Sequence, residues 1–156
     1  MARFLGSLLL LALAGCGGST LQRLKTPDNL TLYSIDGKET ERREAENTAI
    51  DGAHSFHGYL VLGQLDVTDR EQKRQLVAAL KDGIDRKGIK ANACFWPRHG
   101  LHIEQKGVVA DYIICFECNQ YDEIMGNKRR RGTISADVQP VFDAPLTAAA
   151  IPLGPK

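Results

Sequence analysis

Two residues, Lys106-Gly107, divide a long stretch of strand-forming sequence in two, and no other feature limits the fold of this chain as tightly. Lys90 to Gln105 on one side and Val108 to Tyr121 on the other are rich in the β-branched and aromatic residues that suit a pleated, half-buried surface. Glycine accepts the positive φ that a two-residue hairpin turn requires, so the chain is expected to double back here. Gln105 then faces Val108, and strand alternation sets Ile103 against Ala110, Leu101 against Tyr112 and His99 against Ile114 on one nearly apolar face. The opposite face brings His102 against Asp111, within cross-strand reach. A slip of one residue would turn the apolar set to solvent, which is why the pattern specifies this register.

A sheet with one apolar face needs a cover. Thr68-Asp69-Arg70-Glu71 has the form of a capping box with Thr68 as the cap. Leu76, Val77, Leu80 and Ile84 then recur at helical spacing on one face, with Lys81 on the opposite side, and Arg86-Lys87-Gly88 supplies a positive last turn and a glycine stop. A helix from about Asp69 to Lys87 is expected to pack on the hairpin. Leu30 to Ile35 suggests a strand ending in a turn at Asp36-Gly37, and Phe56 to Val67, centred on Leu60-Val61-Leu62, a strand buried on both faces. Lys38 to Asp51 is strongly charged and fits a loop or a short exposed helix that supplies no core. Lys128-Arg129-Arg130-Arg131, between Gly126-Asn127 and Gly132, reads as a solvated loop tip, or else a contact for lipid headgroups or a partner. Thr133 to Val138 suggests a further strand and Pro140 to Ala150 a short closing helix. The fold class expected is α+β: a small, mostly antiparallel sheet with one main amphipathic helix and a short C-terminal helix, in a single domain over residues 30–156.

The first residues follow a different logic. Phe4 to Leu13 is almost wholly apolar after the positive Arg3, the order an export signal uses, and is too short to span a bilayer, which takes ~20 apolar residues. It ends at Leu13-Ala14-Gly15-Cys16, which resembles the lipobox of bacterial lipoproteins. That resemblance implies a signal peptide over residues 1–15, cleavage before Cys16, and acyl chains such as palmitate on the Cys16 that becomes the first residue. Residues 16–29 are then the lipidated N-terminus and a polar tether. Each buried methylene contributes ~0.8 kcal/mol, so several chains hold a protein at a membrane essentially permanently. The implied location is the cell envelope, exported and membrane-anchored. Gly17 resembles the pattern sent onward to the outer membrane, which would place the domain at that membrane's periplasmic face in a two-membrane cell. Lys and Arg number 20 against 19 Asp and Glu, and Arg3 leaves with the signal, so nothing steers the chain to nucleic acid. The partners expected are the membrane, through Cys16, and a protein or small molecule that the sequence does not name.

Cys94, Cys115 and Cys118 remain for the domain. Pro97 cannot donate to a strand ladder, so a bulge is expected at Pro97-Arg98. One extra residue there sets Cys94 opposite Cys118, at a separation that a disulfide bridges, and leaves Cys115 as the odd thiol near Arg98. Two other chemistries use the same residues. Cys94, His99, Cys115 and Cys118 offer zinc-ligand types, although strand alternation turns Cys115 and Cys118 to opposite sides unless the strand breaks between them. Alternatively Arg98 lowers the Cys115 pKa, with His102 as a base oriented by Asp111. Cys-x-x-Cys in redox enzymes opens a helix, whereas Ile113 to Phe116 is strand-like. His54 and His57 form a further His-x-x-His spacing in a loop-like context. Gly-x-Ser-x-Gly, His-Glu-x-x-His and phosphate-binding glycine loops are absent from the sequence, which weighs against an enzyme.

Cys94-Phe95-Trp96-Pro97-Arg98-His99-Gly100 and Ile114-Cys115-Phe116-Glu117-Cys118 resemble the CFxPRHG and ICFEC motifs of a family of small bacterial proteins to which no activity attaches. The function expected is a binding or structural module on a lipid anchor, with a zinc-binding or thiol-active protein as the alternative.

Overall fold

The computed structural model describes Leu21 and residues 24–156; the signal-like run and Cys16 lie outside the described residues. Seven strands form one antiparallel sheet: β1 (Asn29–Asp36), β2 (Ser55–Phe56), β3 (Tyr59–Asp66), β4 (His99–Gln105), β5 (Val108–Cys115), β6 (Gln120–Met125) and β7 (Lys128–Thr133), in the order β2-β3-β1-β4-β5-β6-β7. Three helices with both ends among the described residues accompany them, α1 (Gly37–Ala45), α2 (Arg70–Asp85) and α3 (Gln139–Ala148). The fold is α+β with a closing C-terminal helix.

The hairpin forms in the expected register from Gln105↔Val108 to His99↔Ile114, with His102 facing Asp111. Lys106 and Gly107 both take positive φ, 52° and 75°, matching the right-handed twist of the flanking strands. Leu30, Leu32, Leu101, Ile103, Ala110, Tyr112 and Ile114 line the sheet face that α2 and α3 cover with Leu76, Val77, Leu80, Phe142 and Leu146, and all of these are buried. The cap of α2 is Asp69 rather than Thr68: its carboxylate accepts from the Gln72 amide at 2.7 Å. Nor is Lys81 idle on the outer side of α2, because its ammonium group binds the Leu24 carbonyl.

Several expectations about the remaining chain are corrected. Lys90 to Arg98 is not strand; it runs irregularly, and β4 begins only at His99, after the proline that cannot join a ladder. Lys128 to Gly132 is not a loop tip but most of the edge strand β7, whose arginines alternate between the two faces and find carboxylates on β6. The strand expected at Thr133 to Val138 stops at Thr133 and gives way to a 3-10 turn over Ala136–Val138. β3 is half-buried, since helices cover one side of the sheet only. Asp36 closes β1 by capping α1, its side chain accepting from Glu39 N at 2.9 Å. Leu21 and Leu24, which fall inside the stretch expected to be a polar tether, pack into the core.

The sheet curls toward its uncovered face. β2 folds over it, and Phe56 stacks on Tyr33 with ring centroids 4.3 Å apart. A Cβ at Gly100 would stand 2.7 Å from the Phe56 ring, so only glycine lets the strand pair lie this close. Farther along, Arg129 of β7 bonds the Tyr59 hydroxyl of β3, and the Arg131 guanidinium lies 4.0 Å from the centre of the Phe95 ring. A second, smaller apolar cluster of Ile35, Phe56 and Ile113 fills the concavity.

Candidate functional site

Two clusters of reactive side chains stand out, one where β5 ends at Cys115 and one around Asp111 in its middle. At its outer end, β5 breaks at Cys115 and turns through Phe116 to Asn119, which has φ 54°. The break cancels the alternation that would have parted Cys115 from Cys118. Their Cα atoms lie 5.2 Å apart and their sulfurs are bonded. This corrects the expected Cys94–Cys118 pairing: the free thiol is Cys94, part-exposed, while Cys115 and Cys118 are buried. Cys94 nevertheless lies beside Cys118, its Sγ 2.9 Å away, although it sits in an irregular segment and not in a bulged strand. A frame of hydrogen bonds holds it there. Asn92 N donates to Cys118 O at 3.0 Å. Gln120 Nε2 donates to the carbonyls of Asn92 and Cys94 at 2.6 and 2.8 Å.

Arg98 does not serve Cys115. Its buried guanidinium donates through Nε to Gly154 O at 2.6 Å and reaches Glu117 at 3.3 Å, fastening the C-terminal segment. His99 lies on the helix side of the sheet, wholly buried, with Nε2 2.7 Å from Asp143 Oδ1 and its ring edge-on to Phe116. With two cysteines bonded to each other and His99 engaged by Asp143, the set Cys94, His99, Cys115 and Cys118 does not fit a zinc ion. No group of three or more potential ligands is arranged for a metal among the described residues.

The His99 contact makes stability pH-dependent. Burial drives its pKa below the ordinary 6.5, outweighing the Asp143 carboxylate that favours the charged form. Folded His99 stays neutral while the unfolded histidine takes a proton, so this contribution is complete above pH 6.5 and is lost as pH falls below it, by at most ~1.4 kcal/mol per unit. Asp143 acts in a separate, more acid window. Burial raises its pKa, but the bonds from His99 and Gln139 hold it below 3.8 overall, so its stabilisation fades only below that value. Urea melts from pH 7 to 4.5 are expected to show wild type weakening more steeply than His99→Gln, whose amide keeps a donor to Asp143 without titrating. Parallel slopes would refute the assignment.

The second cluster lies on the uncovered face. The expected His102–Asp111 pair is present, Nδ1 to Oδ1 at 2.6 Å. A third member comes from the β2–β3 hairpin: His57 Nε2 sits 2.6 Å from Asp111 Oδ2. His57 and Gly58 form that hairpin's turn with φ 51° and 89°, which projects the imidazole across the sheet, and Phe56 meets its ring edge-on at 4.7 Å. One carboxylate thus orients two imidazoles. With each ring donating to Asp111, His57 Nδ1 and His102 Nε2 are left as lone-pair acceptors, and both side chains are about one-third exposed. The geometry suits holding a hydrogen-bond donor. His54 is exposed in the turn before β2 and pairs with Asp51, so the His-x-x-His spacing builds no joint site. Nothing local in the sequence signals that His57 joins His102. The pairing needs the strand order β2-β3-β1-β4-β5 and the curl.

No family model, curated protein or solved structure matches this chain.

Proposed function

We propose that this chain is an exported, lipid-anchored protein of the cell envelope whose domain is a binding module. The observation that carries this reading is the short apolar run ending at Leu13-Ala14-Gly15-Cys16, the order of residues on which a signal is removed and a cysteine acylated. The packing of Leu21 into the core supports it from the other side. Four residues separate Cys16 from that anchor point, five steps of the chain with a reach of about 17 Å when extended, so a lipid on Cys16 would hold the domain against the headgroup layer. The surface offered to a ligand is the face bearing His57, Asp111 and His102, which suits a small molecule or peptide that presents hydrogen-bond donors.

Intact-mass spectrometry of the protein from a membrane fraction is the test. A chain beginning at acylated Cys16 is expected, and Cys16→Ala should leave the membrane fraction. Retention of Met1, or a Cys16 without lipid, removes the basis for the anchor.

A further inference from the structure

The three sulfurs at the end of β5 are more than one bond and one spare thiol. Cys94 Sγ lies 2.9 Å from Cys118 Sγ, while Cys118 is bonded to Cys115. Closing the first distance to a bond takes a shift of under ~1 Å. The loop that carries Cys94 is fixed to the turn that carries Cys118 by Asn92 N to Cys118 O, by Asn92 Nδ2 to Glu117 O at 2.8 Å and by the two bonds from Gln120 Nε2. Trp96 N also donates to Cys118 Sγ at 3.4 Å, so two groups of this loop reach that sulfur. This frame presents one thiol to one particular sulfur of an existing disulfide, the requirement for exchange.

We propose that Cys94, Cys115 and Cys118 form a thiol–disulfide exchange site with Cys118 as the shared partner. The Cys94 thiol gives its proton to solvent and its thiolate attacks Cys118 Sγ. The Cys94–Cys118 bond forms as the Cys115–Cys118 bond breaks, and Cys115 leaves as a thiolate that takes a proton back from solvent. One thiol and one disulfide stand on each side of the step, so no oxidant or reductant is consumed. What changes is where the thiol sits: part-exposed on Cys94 in one state and buried on Cys115 in the other. The site is therefore a device for showing or hiding a nucleophilic sulfur at the domain surface, and it stands whether or not Cys16 is lipidated.

Peptide mapping separates the two states, because Cys115 and Cys118 share the tryptic peptide 107–128 while Cys94 lies in 91–98. Full-length protein is incubated at mildly alkaline pH, quenched with acid, unfolded, alkylated at acid pH and digested without reductant. Two species are expected in wild type: peptide 107–128 with an internal disulfide beside alkylated Cys94, and peptides 91–98 and 107–128 linked through Cys118 with the alkyl group on Cys115. Cys115→Ser, oxidised in air, should form the Cys94–Cys118 link. The proposal requires both results. It is overturned if wild type holds only the internal disulfide after long incubation, if the linked form carries its label on Cys118, or if Cys115→Ser keeps both Cys94 and Cys118 as free thiols.

Discussion

Leu80→Ala is expected to destabilise the domain by about 2–5 kcal/mol, read as a fall in the urea midpoint. Leu80 is fully buried beneath the sheet, among Leu76, Val77, Leu101 and Ile103. The walls of the cavity left behind are poorly able to close. On one side they are strands fixed by the β1–β4–β5 ladders. On the other, the segment after β7 is tied to α2 by Ser135 N donating to Gly83 O at 3.0 Å, and a Cβ at Gly83 would lie 2.8 Å from Ile134. Gln75→Ala is the comparison on the same helix. Its side chain is exposed and bonds only Glu71, so the change should cost less than ~0.5 kcal/mol. Equal midpoints for the two variants would mean that the helical face has been assigned wrongly. The loss expected at Leu80 is a large part of the ~5–15 kcal/mol that holds a domain together.

The second large effect concerns Asp122, which is 1% exposed on the concave face of β6. Arg129 and Arg131 satisfy it from β7, with Nε and Nη2 of each guanidinium between 2.7 and 2.9 Å from its oxygens. Burial raises its pKa, but the bonds from Arg131 and Arg129 prevail and hold the carboxyl below 3.8. The two ends of this interaction differ in what their loss strands. Both arginines are about half exposed and return to water if Asp122 is removed, whereas the carboxylate has no such exit. Replacing both arginines by Gln should therefore cost about 3–5 kcal/mol at neutral pH, and Asp122→Asn clearly less. The stranded carboxyl would titrate above 3.8 when folded, so its penalty is present at high pH and absent below 3.8. The gap between the double variant and wild type should accordingly narrow as pH falls toward 3.8. A double variant no weaker than Asp122→Asn would refute the asymmetry.

What the sequence made legible follows from the range of the forces involved. The α2 face and the β4–β5 register are set by residues close in the chain and by a strict apolar period, and both were readable to the residue. His102–Asp111 came with the register. β7 was hidden because Lys128 to Arg131 carries no apolar alternation: its pairing rests on carboxylates at Asp122 and Glu123, which charge content alone reads as solvation. His57 was hidden because it reaches Asp111 only once β2 and β3 have been placed and the sheet has curled. The disulfide failed differently. The pairing partner of Cys118 depended on where the strand-like run Val108 to Tyr121 breaks: β5 stops at Cys115 and β6 starts at Gln120, and the apolar content of the run marks no turn between them.

The last residues fasten the fold at a distance. Ser34 Oγ donates to Pro152 O at 2.6 Å across 118 positions, Arg98 holds Gly154 O, Ile151 fills the space over Gly63, and a Cβ at Gly154 would stand 2.4 Å from Ile35 O. β1, the strand so fastened, also lies between two partners that are synthesised after it. A chain growing from its N-terminus holds β1 early but cannot complete its surroundings until residues 151–154 emerge. Such long-range closure makes folding slow and leaves β1 unfastened on this side until residues 151–154 have been made.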